Sequence, residues 1–320
     1  MFPNITDAAV KAAMEAVASS GTTEEKIQML IELAQGFQKQ PKTASYLRNA
    51  VSLYYQAYEL CGDDYPLWKA RAKVGMASTL QVIPNSGTDL LLQAKAGYEE
   101  TLPILLSLAT KEEVAEVQMN LGLVLQSLAN FNLARMTDSI KAYQEALEVF
   151  TWNKFPQEYA ILHNNIAIAY LSIPLSPDKE SLRHALAVQS FENALEHINL
   201  IDHPREYAML QNNLGNALQY LPSQHRIENN QRAIASYDEA LKVRNSHDTP
   251  LEYANTIANK ANVLSNLPDN LEYPELGNSE NLSKASNYYQ QALEIFAQYE
   301  QIEQVEIVTQ ALAELGVSKF

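Results

Sequence analysis

Three asparagines lie close together in the stretch REYAMLQNNLGNALQYLP, which runs from Arg205 to Pro222 and must bury one face if it is a helix. Asn212 and Asn213 are adjacent, and Asn216 follows one turn later. Asn is a poor helix former because its amide competes for nearby backbone groups. The same amide carries both a donor and an acceptor, so it can pair with a peptide backbone. These residues indicate binding rather than bond-making chemistry.

Motifs of catalysis are missing from the sequence. No two of the ten glycines lie closer than ten residues apart, which excludes the Gly-rich loops that cradle phosphates. No G-x-S-x-G nucleophile motif is present either. The six histidines are scattered and form neither an H-E-x-x-H nor a Cys/His pattern. We therefore expect no catalytic residues, no metal site and no cofactor, and we expect that the protein is not an enzyme.

The charge and the single cysteine exclude further classes of protein. The formal net charge is -15 and no Lys/Arg-rich run occurs, which argues against nucleic-acid binding. Cys61 is the single cysteine and fits a small apolar residue at a helix end better than a reactive thiol. No basic segment precedes an apolar run, and no window reaches the ~18 uncharged apolar residues of a membrane span. We expect a cytoplasmic protein without membrane insertion.

A repeat about 45 residues long organises the chain. An interval of 18 residues separates two prolines four times, in the pairs Pro66 and Pro84, Pro156 and Pro174, Pro204 and Pro222, and Pro250 and Pro268. Small residues recur in the same frame at Ala34, Ala77, Gly122, Ala167, Gly215 and Ala261. Self-similarity at such a period is typical of solenoids. The sequence therefore predicts six repeats.

Each repeat is predicted to contain two helices. Proline fits the first turn of the first helix, where its missing N–H is not needed, and the second proline stops that helix. Capping boxes are predicted for Thr22 with Glu25, Thr110 with Glu113, and Thr249 with Glu252. The second helix carries an aromatic and a small residue three apart, as in Tyr98 and Thr101, Tyr143 and Ala146, Phe191 and Ala194, Tyr237 and Ala240, and Tyr289 and Ala292. These pairs are predicted packing positions.

In the fifth repeat Leu214, Gly215 and Leu218, followed by Ala233, Tyr237 and Ala240, resemble the tetratricopeptide repeat signature. The connections are longer than in the ordinary unit, as in kinesin light chains and bacterial repeat proteins. The resemblance implies an all-α fold, a right-handed α-solenoid superhelix of six helix pairs in one domain, 1–320. Residues 4–21 would form an N-terminal capping helix, 22–301 the six repeats, and 302–318 a C-terminal capping helix.

In this family the first helices line a concave groove. The resemblance therefore implies that the asparagines lie on the wall of that groove. Four of them recur one per repeat before the apolar position, and others lie at neighbouring groove sites, with Asn212, Asn216, Asn255 and Asn262 expected to be the more exposed. Alternatively, such amides cap a neighbouring helix or bridge adjacent first helices. The predicted peptide-binding set is Asn120, Asn164, Asn165, Asn212, Asn213, Asn216, Asn255, Asn259, Asn262 and Gln219.

The function expected from these observations is a non-enzymatic scaffold or adaptor. It would hold a peptide or an extended segment of a partner protein in the groove, mainly in repeats four to six, for complex assembly or regulation. Two alternatives stay open at this point. One is a structural oligomerisation platform whose groove is unoccupied, and the other is a sensor of a signalling peptide.

Overall fold

The computed structural model describes residues 11, 14, 15, 17, 19, 21–39, 44–84, 87–174, 180–222 and 225–317. These residues form thirteen α-helices, one 3-10 turn at Pro274–Leu276, and no strand. The helices are α1 (Thr23–Lys39), α2 (Ala44–Cys61), α3 (Pro66–Leu80), α4 (Gly87–Leu108), α5 (Lys111–Ala129), α6 (Met136–Leu147), α7 (Pro156–Ser172), α8 (Glu180–Leu195), α9 (Pro204–Gln219), α10 (Arg226–Leu241), α11 (Pro250–Ser265), α12 (Ser279–Gln298) and α13 (Ile302–Val317).

The chain divides into two compact units, Met1–Phe150 and Thr151–Phe320. Unit 1 contains the helix pairs α1/α2, α3/α4 and α5/α6. Unit 2 contains α7/α8, α9/α10, α11/α12 and the last helix, α13. Within each unit consecutive helices pack on one another, and first helices also contact first helices, as α1 does α3 and α9 does α7 and α11. The all-α fold of consecutive helix pairs is thereby confirmed.

The predicted prolines mark where the first helices begin. Pro66, Pro156, Pro204 and Pro250 occupy the first position of α3, α7, α9 and α11. The helices end two to four residues before the second proline of each interval. Proline needs no N–H partner at the first turn and cannot continue a helix, so the 18-residue interval sets the length of these helices.

Two of the three predicted capping boxes form their hydrogen bonds. Thr22 and Glu25 bond reciprocally, through Thr22 N to Glu25 Oε2 at 2.7 Å and Glu25 N to Thr22 Oγ1 at 3.3 Å. Thr110 Oγ1 accepts from Glu113 N at 3.2 Å. The prediction for Thr249 is wrong, because its hydroxyl oxygen accepts instead from Asn245 N, at 3.0 Å, in the preceding turn.

The small residues of the first helices face the aromatic residues of the second. A Cβ on Gly122 would lie 2.4 Å from Cε1 of Tyr143, and one on Gly215 would lie 2.6 Å from Cε1 of Tyr237. Both tyrosines are fully buried, as is Phe191. The aromatic residues of the repeat are therefore packing residues, as predicted.

The remaining predictions concern the terminal capping helices, Cys61 and membrane spans. Helix α13 packs against α12 and α11 in unit 2. Most of the predicted capping helix 4–21 lies outside the described residues. Cys61 is buried at the end of α2, and burial raises its thiol pKa to about 11. Among the described helices, none is both long and apolar enough to cross a membrane.

Candidate functional site

An open cavity of about 760 Å³ lies along the first helices of unit 1. Helices α1, α3 and α5 provide most of its lining, so the cavity follows the repeat. Amide and hydroxyl groups alternate with valines on its walls. The polar lining includes Gln35, Gln38, Ser78, Gln81 and Asn120, and the apolar lining includes Val74, Val82 and Val117. We call this cavity the unit 1 groove.

An ion pair between α3 and α5, Arg71 with Glu113, lies in the lining of the unit 1 groove. The Arg71 guanidinium donates two hydrogen bonds to Glu113, from Nε at 2.9 Å and from Nη2 at 2.8 Å, and lies over the Trp68 ring at 4.8 Å. Trp68 Nε1 in turn donates to Glu24 Oε1 at 3.0 Å. The hydrogen bonds from Arg71 lower the pKa of the Glu113 carboxyl. These contacts link α1, α3 and α5 beside the groove.

A tyrosine-to-amide hydrogen bond recurs in each repeat of unit 1, and Tyr54, Gln38 and Gln81 from these bonds line the unit 1 groove. The bonds are Tyr54 to Gln38 at 3.0 Å, Tyr98 to Gln81 at 3.4 Å, and Tyr143 to Gln126 at 2.8 Å. In each case the hydroxyl of a second-helix tyrosine donates to Oε1 of a first-helix glutamine. The sequence analysis did not predict these hydrogen bonds. The signal was available, because each glutamine follows the small residue of its repeat by four positions.

In unit 2, four of the predicted asparagines form one hydrogen-bonded network between α7 and α9. Asn213 Nδ2 donates to Asn164 Oδ1 at 2.7 Å, across the two helices. Asn164 Nδ2 donates to Asn165 Oδ1 at 3.3 Å, and Asn212 Nδ2 donates to Asn213 Oδ1 at 2.9 Å. The amides therefore bridge adjacent first helices, which is the structural role that the sequence left open.

Burial separates the members of this network. Asn164 and Asn212 are buried, whereas Asn165 and Asn213 are partly exposed. The expectation that Asn212 is among the more exposed residues is wrong, since only 6% of its surface is accessible. Its Oδ1 has no hydrogen-bond partner within the described part of the chain. Within this network, Asn165 and Asn213 are therefore the two side chains accessible from solvent.

A second network joins α9 to α11 and to the second helix of the fifth repeat. Asn216 Oδ1 accepts from the Tyr237 hydroxyl at 2.8 Å and from Gln219 Nε2 at 3.5 Å. Asn262 Nδ2 donates to Gln219 Oε1 at 3.2 Å and to the Tyr220 hydroxyl at 3.3 Å. Tyr237 with Asn216 repeats the tyrosine-to-amide bond of unit 1. Asn216, Gln219 and Asn262 are all partly exposed.

Three predicted residues stand outside both networks. Asn255 Nδ2 donates to the Leu251 carbonyl of its own helix at 2.9 Å. Asn120 and Asn259 are half-buried and have no hydrogen-bond partner among the described residues. Asn120 lies in unit 1, where it lines the groove, while the other nine predicted residues lie in unit 2. Among the predicted residues, Asn120 and Asn259 are thus the two whose amides form no hydrogen bond within the described part of the chain.

Comparison with known proteins gives matches at the level of structure alone. No protein-family model matches the chain, and no curated protein matches it. A signal transduction ATPase with numerous domains from Pyrococcus horikoshii, which has a tetratricopeptide repeat sensor, matches with a TM-score of 0.57 and 13% identity. That match covers 99% of this chain, which spans 44% of the length of the ATPase.

Two further structures illustrate the range of matches. BtubC (BKLC) from P. vanneervenii has 21% identity and a TM-score of 0.49 over 74% of this chain and 92% of its own. The TPR2AB domain of yeast Sti1, in complex with pHSP90, has 15% identity and a TM-score of 0.32 over 92% of this chain and 99% of its own. The helix pairs, their packing and the match to the Pyrococcus horikoshii protein together show that this chain has the fold of a tetratricopeptide-repeat α-solenoid.

Proposed function

We propose that the protein is a non-enzymatic interaction scaffold that binds an extended segment of a partner protein along its first helices. The observation that carries this proposal is the unit 1 groove. Its volume, about 760 Å³, is within the range of ligand sites, roughly 300–1,000 Å³. A groove that follows successive repeats suits a chain that is extended rather than compact.

The lining of the unit 1 groove matches the chemistry of a peptide. Amides such as Gln35 and Asn120 can pair with backbone N–H and C=O groups of any sequence. Val74 and Val82 offer apolar contact for alternate side chains. The groove is already ordered by the Arg71–Glu113 pair, so little conformational entropy is lost on binding.

The partly exposed amides of unit 2 provide a second first-helix surface for the same kind of ligand. In this proposal Asn165, Asn213, Asn216, Asn255, Asn259, Asn262 and Gln219 contact the partner, while the buried Asn164 and Asn212 position them. One hydrogen bond contributes roughly 0.5–1.5 kcal/mol net, and association costs at least ~4 kcal/mol. Several amide contacts are therefore needed together, along with apolar contacts.

The test is affinity capture from a native lysate, followed by mass spectrometry. Captured proteins are compared between the native chain and a variant carrying Asn120→Ala and Asn259→Ala. A matched control carries Asn193→Ala and Asn287→Ala, which change exposed asparagines on the second helices α8 and α12. The proposal predicts that the first variant loses a partner that the control retains.

Equal capture by all three proteins would contradict the proposal. If the native chain instead associates only with itself, the result supports an oligomerisation platform with an unoccupied groove. Sedimentation of the purified protein distinguishes that case.

A further inference from the structure

The connection between α11 and α12 contains a six-residue segment, Leu271–Leu276, with the sequence LEYPEL. We call it the LEYPEL segment. All six of its residues are exposed. Leu271, Tyr273 and Leu276 are accessible over 39%, 54% and 72% of their surface. These apolar side chains contribute little to the core of unit 2, so the fold itself does not explain them.

The LEYPEL segment is held in a defined conformation by backbone hydrogen bonds. Asp269 N donates to the Gly277 carbonyl at 3.0 Å, which closes the base of the loop. Asn270 Oδ1 accepts from the backbone N–H groups of Glu272 and Tyr273, at 2.9 and 3.2 Å. A 3-10 turn over Pro274–Leu276 completes the loop. Gly277 follows with φ of 95°, in the region that favours glycine.

The base of the same loop is attached to both flanking helices. The Asp269 carboxylate accepts from Glu280 N at 2.9 Å and from Asn281 N at 2.8 Å, at the start of α12. Asn278 Nδ2 donates to the Ser265 carbonyl, at the end of α11, at 2.8 Å. Because the loop is already ordered, a partner that binds it need not supply the ordering free energy. The loop therefore displays its apolar side chains in a conformation suited to binding.

Both charged side chains of the LEYPEL segment itself are carboxylates. Residues 261–283 contain four carboxylates and no Lys or Arg. Glu272 and Glu275 alternate with the apolar side chains and are exposed. Beside the loop, a cavity of about 420 Å³ is lined by Pro274, Ile227 and Arg226, among others. Arg226 is a basic side chain in the wall of this cavity.

We infer that the LEYPEL segment is a docking element, distinct from the first-helix surfaces, for a partner protein with an apolar pocket bordered by Lys or Arg side chains. Exposed apolar side chains rimmed by polar residues mark interaction sites, and tyrosine is enriched at the centres of interfaces. The carboxylates select a basic border by charge complementarity. A second copy of this chain is a poor occupant because each copy carries a net charge of -15.

The experiment uses the full chain and a variant carrying Leu271→Ser, Tyr273→Ser and Leu276→Ser. Proteins captured by the native chain and lost from this variant are identified, purified and titrated by calorimetry. Tyr273→Ser alone is expected to weaken binding about tenfold or more, as at other interface hot spots. Glu272→Gln with Glu275→Gln is expected to weaken binding at low salt and to reduce its salt dependence.

Two controls separate this inference from the proposed function and from misfolding. Ile201→Ser changes an 88% exposed side chain in another loop of unit 2, one fixed by a similar turn in which Ile201 N donates to Asn199 Oδ1 at 3.0 Å. This variant should bind normally. The variant with Asn120→Ala and Asn259→Ala should also retain the docking partner. Circular dichroism and thermal unfolding should be unchanged in the triple variant.

Three results would overturn the inference. The first is that the native chain and the triple variant capture the same proteins. The second is a purified partner that binds the triple variant as tightly as the native chain. The third is self-association of the native chain that the triple variant abolishes, since the occupant would then be a second copy.

Discussion

Asn213 on α9 donates a hydrogen bond from Nδ2 to Oδ1 of Asn164 on α7, at 2.7 Å, between the first helices of successive repeats. Asn164 is buried and Asn213 is partly exposed. The same pair thus joins two first helices and orients an amide that is accessible from solvent. In a solenoid, stability depends on such contacts between neighbouring repeats.

A double-mutant cycle measures the energy of this bond. Asn164→Ala and Asn213→Ala should each lower the free energy of unfolding, and their coupling energy should be roughly 0.5–1.5 kcal/mol. Urea denaturation of the native chain, both single variants and the double variant gives this value. Asn259→Ala, which removes no hydrogen bond to a described residue, is the control. Fully additive effects would show that the bond does not stabilise the stack.

Replacing glycine by alanine is predicted to have opposite effects on stability at Gly122, which contacts Tyr143, and at Gly36, which has open space around it. Gly122→Ala should destabilise the protein by about 1–3 kcal/mol, because the new Cβ overlaps the tyrosine ring. Gly36→Ala should stabilise it by about 0.5–1 kcal/mol, since Gly36 lies within α1 and its Cβ would meet nothing within 4 Å. Thermal unfolding of the two variants is the measurement. A stabilised Gly122→Ala protein would show that the ring gives way easily.

Burial of His163 predicts a loss of stability in mild acid. Its ring contacts Tyr159 and lies near His197, and its Nδ1 is 3.2 Å from Ser190 Oγ. Burial lowers the pKa of His163 below its ordinary value, against the opposite effect of the Ser190 hydrogen bond. The unfolded chain, with a histidine pKa of about 6.5, therefore takes up a proton before the folded chain does.

The free energy of unfolding should accordingly fall as the pH is lowered through about 6.5. Urea denaturation at pH 7.5 and at pH 5.5 measures this fall. His163→Gln should make the difference between the two pH values smaller. His247→Gln, at an exposed loop position, should leave it unchanged, and an equal effect of both substitutions would exclude His163 as the source.

Local sequence signals predicted the helix boundaries of this fold well. Proline acts through its own backbone geometry, so Pro156, Pro204 and Pro250 set the first residues of their helices without help from distant contacts. Thr249 shows the limit of the same reasoning. The spacing of a capping box was present, but the hydroxyl bonds to the preceding turn, which local pattern alone does not reveal.

The candidate site was less predictable than the fold. The repeat frame placed the asparagines on first helices, yet it did not show that Asn164 and Asn213 bond to each other or that Asn212 is buried. Those facts depend on how far apart two helices lie, which is a tertiary property. The unit 1 groove arises in the same way, from the packing of α1, α3 and α5, and no single segment of the sequence encodes it.

The measurement that tests the central claim most directly is site-specific photo-crosslinking in the full chain. A benzophenone amino acid is placed at Val82, an exposed residue of the unit 1 groove, and in a separate protein at Asn193 on the outer face of α8. Binding along the first helices predicts a crosslinked partner from position 82, lost when Asn120→Ala and Asn259→Ala are added, and none from position 193. A partner crosslinked from position 193 alone would contradict the account.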